Sequence, residues 1–474
     1  MSPAVRRIVL GSRRTNYLFN ASNRPASAYG SRRLTGDWTG ALFRVVRASD
    51  SATYDVAYQA DGTANLAGLT SFLSGTTGAV DLIYDQTGGG NHATQTTGAS
   101  RPVANLSVAI NGGFVPTFAN QFMTLPAGAI SASTRNAHGF AVAETPLSFG
   151  VDNVLFQMGT SATVASQGTL QLPNTTYLGW VRANPGSVTQ TVSPDCRPSV
   201  YEYHMGTTAQ GGLFFYQNDE TLATVESSTN VAFTGGQLGS TATSGLYKGY
   251  FFFGCALFYN ARQDAATATA LKQKMASMFG ITPAPSRKRL IIDGDSIAGS
   301  YTAALNYYGI VPQARRSMPE CRIYNISQSG FQLQNTVTNY ASTIGALLTR
   351  YGGANCVVVE QRSINDINIG SRTGAQLIAD IQTVGNAVTG TGAVFVVAVT
   401  TPAGLGAGPA TERATYVSWL QANAAGLGWH LIDITSDPTV GTYSAGYYPD
   451  GIHPNVACTA IIAPYWAAAI GPLL

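Results

Sequence analysis

Up to about residue 281 the apolar positions come in short runs or alternate with polar ones, as in Gly40–Arg47, Val80–Tyr84, Phe140–Glu144 and Gly249–Tyr259. Turns rich in Gly, Thr, Ser and Asn separate these segments. A period of two marks strands with one buried face, so this region predicts an antiparallel β jelly roll or sandwich. One helix closes it. Leu271, Met275, Met278 and Phe279 fall at i, i+4, i+7 and i+8, with Gly280 where a C-cap is expected. That stripe reads as core packing rather than a ligand surface.

The pattern changes after Thr282-Pro283-Ala284-Pro285-Ser286-Arg287-Lys288-Arg289, a proline-bearing basic stretch. Apolar strand candidates Leu290–Ile292, Arg322–Ile326, Cys356–Glu360, Val394–Val399 and His430–Ile434 alternate with helix candidates Val337–Tyr351, Ala375–Val388, Thr411–Gly426 and Val456–Ile470. Such alternation predicts a parallel, doubly wound sheet of about five strands with helices on both faces, a three-layer α/β domain. The expected organisation is an N-terminal arm over 1–35, a jelly roll over 36–281, a linker over 282–288 and the α/β domain over 289–474.

A chain of 474 residues exceeds one ordinary core, in line with that division. Charged residues make up only 11% and hydrophobic ones 45%, a globular composition with polar, weakly charged surfaces. The net charge of +3 is too small to argue for a nucleic-acid partner. It is uneven, however: Arg6, Arg7, Arg13, Arg14, Arg24, Arg32 and Arg33 all precede the first acidic residue, Asp37. This reads as a solvated arm, or as one that docks on a virion protein, a cell-surface protein or a neighbouring subunit. Homo-oligomer formation stays open.

The cysteines, Cys196, Cys255, Cys321, Cys356 and Cys458, are scattered without a Cys-x-x-Cys pair, so neither a metal site nor a cofactor is expected. No run of about 18 apolar residues is read in the sequence to span a bilayer, and the start of the chain lacks a signal peptide's apolar stretch. The expectation is an extracellular or virion-surface protein exported by another route, with the cytoplasm as the alternative.

Chemistry concentrates near the end of the chain. In Asp450-Gly451-Ile452-His453-Pro454 a carboxylate and an imidazole share one tight turn, so an acid three residues away can orient a histidine base. Upstream, Ser296 in Asp293-Gly294-Asp295-Ser296-Ile297 follows the apolar run Leu290-Ile291-Ile292 and stands where a strand gives way to a helix. A serine at the carboxyl end of a parallel strand is well placed as a nucleophile. His430 reads as a core or strand-end histidine, Asp366 as a loop-fixing acid and Asp295 as a turn cap.

Two further segments follow successive strands, Asn325-Ile326-Ser327-Gln328-Ser329-Gly330 and Ser363-Ile364-Asn365-Asp366. With the first two they resemble, in order, the motifs of the SGNH hydrolases, also called GDSL-like esterases, over residues 289–474. The resemblance implies a flavodoxin-like α/β fold and a triad of Ser296, His453 and Asp450. It also implies an oxyanion hole made by the Ser296 and Gly330 backbone N–H groups and the Asn365 side-chain amide. Two positions depart from the family: Ser363 and Ser327 stand where glycines are usual, which implies a differently shaped oxyanion loop. Arg362 is a candidate for binding an anionic sugar group or for bracing the loop, and Tyr447 and Tyr448 are candidates for the acyl-pocket wall.

In the first half, Gly40-Ala41-Leu42-Phe43-Arg44-Val45-Val46-Arg47-Ala48-Ser49-Asp50 and Ile83-Tyr84-Asp85-Gln86-Thr87-Gly88-Gly89-Gly90-Asn91-His92 resemble the concanavalin-like catalytic jelly roll of arabinofuranosidase B. The end, Gly249–Gly280, is similar to laminin-G-like domains. Glycoside hydrolysis needs two placed carboxylates. The stretch matching the family's second acid, Gly239-Ser240-Thr241-Ala242-Thr243, holds none, so glycan binding is favoured over cleavage. Asp219, Glu220 and Glu226 remain candidate acids, and Asp85 and His92 read as loop-fixing. The combined expectation is a serine esterase removing acyl, above all O-acetyl, groups from a polysaccharide or glycoconjugate held by the jelly roll. The alternatives are a virus-particle fibre, spike or adhesin with a degenerate hydrolase domain, and an arabinofuranosidase-like glycosidase.

Overall fold

A computed structural model describes residues 17–281 and 288–474, apart from 105, 107–108, 111–112, 133–135, 145–152, 159–167, 173–178, 184–186, 191–197, 206–212, 219, 226–232, 240–248, 299–308, 316 and 319–320. Two antiparallel sheets build the first part. One runs from Ser187–Gln190 through Asn153–Met158 and Gly78–Ile83 to Thr53–Val56. The other runs from Ser27–Gly30 through Gly249–Tyr259, Ala137–Glu144 and Ser199–Met205 to Glu220–Val225. Phe43 and Val45 of the first sheet share one core with Ala141, Tyr201, Phe251 and Phe258 of the second, so the sheets pack face to face.

The second sheet is buried on its other side too. Phe140, Val142, Leu257 and Cys255 meet Ala268, Leu271 and Met275 of the helix Ala265–Met278. Asp264 caps the start of that helix, accepting the Thr267 N–H at 2.9 Å. Its end is a Schellman motif: the Ile281 N–H reaches the Ala276 carbonyl at 2.7 Å, and Gly280 takes the left-handed conformation at φ +63°. The apolar stripe is thus core, as its spacing suggests.

Residues 17–35 are not an arm. Leu18 and Phe19 are buried, and Ser27–Gly30 pairs with the strand Gly249–Tyr259. Their apolar side chains outweigh the arginines in setting their place. Arg6, Arg7, Arg13 and Arg14 lie outside the described residues, as do Cys196, Asp219 and Glu226.

Residues 288–474 form a parallel sheet of five strands, in the order Ile323–Asn325, Arg289–Gly294, Cys356–Gln361, Val394–Ala398, His430–Ile432. In chain order this is 2-1-3-4-5, which places the switch of direction between Arg289–Gly294 and Cys356–Gln361. Both strands are continuous apolar runs because helices cover both faces. The helices Gly374–Thr389 and Ala407–Asn423 are as expected within a few residues. The span expected as one helix, Val337–Tyr351, is two, Leu333–Asn339 and Ile344–Tyr351. At the break the Ser342 and Thr343 hydroxyls donate to the Asn339 carbonyl at 3.0 and 2.8 Å, a local alternative to helical pairing.

One expectation about membranes needs correction. The stretch Val456–Leu473 has the length and hydropathy of a span, with a mean hydropathy of 1.6. Cys458, Ile462, Trp466 and Ile470 are nevertheless buried in the α/β core, the stripe of a packed helix.

Candidate active site

The first strand ends at Gly294, where three chain segments converge. A Cβ there would lie 2.5 Å from Ala298 Cβ, 2.9 Å from Ser327 Oγ and 3.0 Å from Gln361 Oε1. Only glycine lets the turn Asp295-Ser296-Ile297 sit this close to the ends of the second and third strands. Gln361 Oε1 accepts the Ala298 N–H at 3.1 Å, and Asn325 Nδ2 donates to the Ala298 carbonyl at 3.2 Å. These bonds pin the segment carrying Ser296, which is 5% exposed.

The Asp450–His453 turn comes from the other end of the chain. The Gly451 N–H bonds the Tyr448 carbonyl at 2.9 Å, closing a turn with Pro449 at its second position and Gly451, at φ +89°, at its fourth. Asp450 Oδ1 accepts the backbone N–H groups of Ile452 at 3.0 Å and His453 at 2.7 Å. Its Oδ2 lies 2.6 Å from His453 Nδ1, and His453 Nε2 lies 2.7 Å from Ser296 Oγ. Burial acts to raise the Asp450 carboxyl, but the bonds from His453 and Ile452 outweigh it and hold the group down at about 2. Asp450 is therefore ionised at any ordinary pH and keeps the imidazole proton on Nδ1, leaving Nε2 to face the serine.

Gly330 follows the second strand in the left-handed region at φ +77°, with open space where a Cβ would point. Among the described residues no protein acceptor engages the backbone N–H of Ser296 or Gly330. Asn365 is the second residue of the short helix Ile364–Asn368, and its Nδ2 donates to the Phe331 carbonyl at 3.1 Å, leaving its second N–H. Ser363, where a glycine was expected, has φ 161°, an extended backbone open to any residue. Its hydroxyl lies 2.5 Å from Thr400 Oγ1, so the serine fits the loop without requiring a glycine. Asp366 accepts the Leu333 N–H at 2.7 Å and pairs with Arg372 at 3.0 Å, a loop-fixing role.

Arg362 takes the bracing role, the second of the two expected of it, and Tyr448 lies away from any pocket wall. Arg362 is 4% exposed. Its donors go to the Gly294 carbonyl at 3.1 Å, to Thr336 Oγ1 at 3.0 Å and to Asp293. The guanidinium is drawn inward because the sheet register sets Asp293 beside Glu360, two buried carboxyls needing a cation. Burial pushes both carboxyls up, with Arg362 acting against it. Tyr448 is fully buried and donates to the Val440 carbonyl at 3.1 Å. Tyr447 is partly buried against the α/β core. His430 is exposed at the start of the last strand.

Asp293, Gln361, Asn325 and Thr336 were missed as site residues. Asp293 and Asn325 open two of the quoted motifs and Gln361 precedes a third, but only strand register reveals their contacts. Asp295 is fully buried and accepts the Ile297 N–H at 2.9 Å. Burial pushes its carboxyl up to about 6, against that bond and the Arg362 charge. In the first part, Asp85 accepts the Ala28 N–H at 3.0 Å and the Thr87 hydroxyl at 2.8 Å, and His92 Nδ1 accepts the Asp85 N–H at 3.1 Å. Both fix the loop. Glu220 opens the strand Glu220–Val225, and residues 240–243 lie outside the described residues.

Fold and site together define a multidomain chain: antiparallel sheets, then a parallel α/β sheet carrying a Ser-His-Asp constellation at its switch point. Residues 17–112 match the family model for alpha-L-arabinofuranosidase B, catalytic, a stretch that contains the two segments 40–50 and 83–92 of the resemblance. A probable alpha-L-arabinofuranosidase B of Aspergillus fumigatus is 43% identical over 93 residues, covering 19% of this chain and 18% of that protein. The chain thus spans less than a fifth of that relative's length. Among solved structures, a GH54 a-l-arabinofuranosidase soaked with a cyclic sulfate inhibitor covers 56% of this chain and 66% of its own, at 17% identity and TM-score 0.44. A member of the lipolytic protein G-D-S-L family from Veillonella parvula covers 38% of this chain and 95% of its own, at 17% identity and TM-score 0.31.

Proposed function

We propose that the chain is a serine ester hydrolase of the SGNH type that removes acyl groups, O-acetyl above all, from a carbohydrate held by its jelly-roll part. The observation that carries this reading is the relay Ser296 Oγ to His453 Nε2 at 2.7 Å and His453 Nδ1 to Asp450 Oδ2 at 2.6 Å. His453 Nε2 takes the Ser296 proton as Oγ attacks the ester carbonyl. Asp450 stabilises the resulting imidazolium. The Ser296 and Gly330 N–H groups and the Asn365 amide receive the oxyanion. His453 then returns its proton to the leaving alcohol, and water, deprotonated by the same imidazole, frees the acid. The carbohydrate part of the reading rests on the arabinofuranosidase-like stretch in residues 17–112.

Ser296→Ala should lower release of acetate from an acetylated polysaccharide, and of nitrophenol from 4-nitrophenyl acetate, by about 10³-fold or more. Undiminished turnover would overturn the assignment. A second reading, arabinofuranosidase-like cleavage, is favoured by the same match, but the stretch 239–243 supplies no second acid. Release of arabinose from an aryl arabinofuranoside that survives Ser296→Ala would establish it.

A further inference from the structure

The jelly-roll part carries a cleft of about 220 Å³ lined by Asn20, Arg24, Asp37, Trp38, Thr87 and Gly88, among others. We propose that this cleft is a saccharide-binding site, with one sugar ring stacked on Trp38 and its polar groups held by Asp37 and Arg24. Its lining includes none of the residues of the Ser296 site, and the proposal rests on the reading that the jelly-roll part holds carbohydrate.

Hydrogen bonds hold the walls, while the two charges have no partner among the described residues. The Trp38 Nε1–H donates to the Ala41 carbonyl at 3.0 Å, and the Trp38 carbonyl accepts the Tyr58 hydroxyl at 3.1 Å. A Cβ on Gly40 would lie 2.6 Å from the indole, so glycine there is what lets the ring take this place. Gln86 accepts the Leu34 N–H at 2.7 Å and donates to the Arg32 carbonyl at 2.9 Å, while Asp85 holds Thr87. Gly88, at φ +76°, leaves room for the Arg24 guanidinium, which lies 3.3 Å from where a Cβ would be.

Arg24 and Asp37 are both exposed, and among the described residues neither side chain is used in a hydrogen bond or ion pair. An aromatic face beside one free acceptor and one free donor group suits a ring with an apolar face and a polar rim. A single cation next to a carboxylate does not suit a polyphosphate. The volume is below the about 300–1,000 Å³ of drug-sized pockets, which fits a ring or two of a longer chain passing through.

The test is calorimetric titration of the intact protein with two unacetylated probes, neutral arabinoxylan and anionic polygalacturonate, so that ester cleavage plays no part. At least one should bind. Arg24→Ala and Asp37→Asn, which alter exposed groups without partners among the described residues, should each weaken binding by about tenfold or more with Tm unchanged, and Trp38→Ala should weaken it further. Preference for polygalacturonate with affinity falling in salt would place a sugar carboxylate on Arg24. Preference for arabinoxylan with little salt effect would place hydroxyls there; both support the site. Binding of neither probe, or binding that Arg24→Ala and Asp37→Asn leave unchanged, overturns it.

Discussion

Asn365 and Asp295 lie on the segments that end at the proposed site, and substitutions separate a proposed catalytic role from a structural one. In the proposed oxyanion hole Asn365 supplies the amide N–H that its bond to the Phe331 carbonyl leaves over, so Asn365→Ala should lower kcat about 10²–10³-fold with KM little changed. A fall in kcat/KM through KM alone would assign Asn365 to substrate binding instead. Asp295 acts on stability. Its carboxyl is raised from 3.8 to about 6 by burial, so between those values the folded chain keeps a proton that the unfolded chain releases. The stabilising contribution is complete below about pH 4 and is lost as pH rises through about 6, on the order of 3 kcal/mol in all. Asp295→Asn should therefore make Tm fall less steeply between about pH 4 and 6.5. Asp450 works in the opposite sense, losing its contribution as pH falls toward about 2, below that window. An unaltered slope in the Asn variant would show that Asp293 and Glu360 alone set it.

The strands of both parts owe their places to how apolar positions fall on two faces, and one glycine shows how finely. Along Gly249–Tyr259, Phe251 and Phe253 face the sandwich core, yet beyond Gly254 it is Ala256 and Phe258 that do so. Gly254 is the extra residue of a bulge: Val142 pairs with Cys255 and Ala143 with Phe253. A Cβ at 254 would lie 2.8 Å from Val142 Cγ1 and 2.9 Å from the Val142 carbonyl. Gly254→Ala should cost about 1–3 kcal/mol in denaturant unfolding, and a loss under about 0.5 kcal/mol would mean that the bulge relaxes. The same elements show what a sequence can reveal. Leu290–Ile292 and Cys356–Glu360 were legible because strands buried on both faces are continuous apolar runs, and the Asp450–His453 pair because it is local. The break at Thr343 was not, since it depends on which carbonyl a hydroxyl chooses. Between the two roles left open for Arg362, sugar binding and loop bracing, the sequence could not choose, because an arginine in a loop is ordinarily solvated; the parallel register that sets Asp293 beside Glu360 draws it inward to brace.

Across the whole molecule the buried apolar residues separate by sequence. One cluster contains only residues from Leu290 to Ile470, and the other two only residues from Leu18 to Ile281. An ion pair crosses this division, Arg315 Nη2 to Glu144 Oε1 at 2.7 Å, with the two side chains 23% and 11% exposed. A pair of that kind fixes orientation more than it adds stability; exposed examples contribute about 0–1 kcal/mol. Cooperativity follows the apolar cores, so the two parts should unfold as separate units. Residues 288–474 alone should give a single calorimetric transition matching one of two seen in the full chain, and should hydrolyse 4-nitrophenyl acetate as the full chain does, because every member of the proposed relay lies within it. Action on an acetylated polysaccharide should suffer instead, through a raised KM, since the cleft at Trp38 is gone. If the segment neither melts cooperatively nor turns over the small ester, the jelly roll is part of the catalytic fold rather than a neighbour that holds the chain being deacylated.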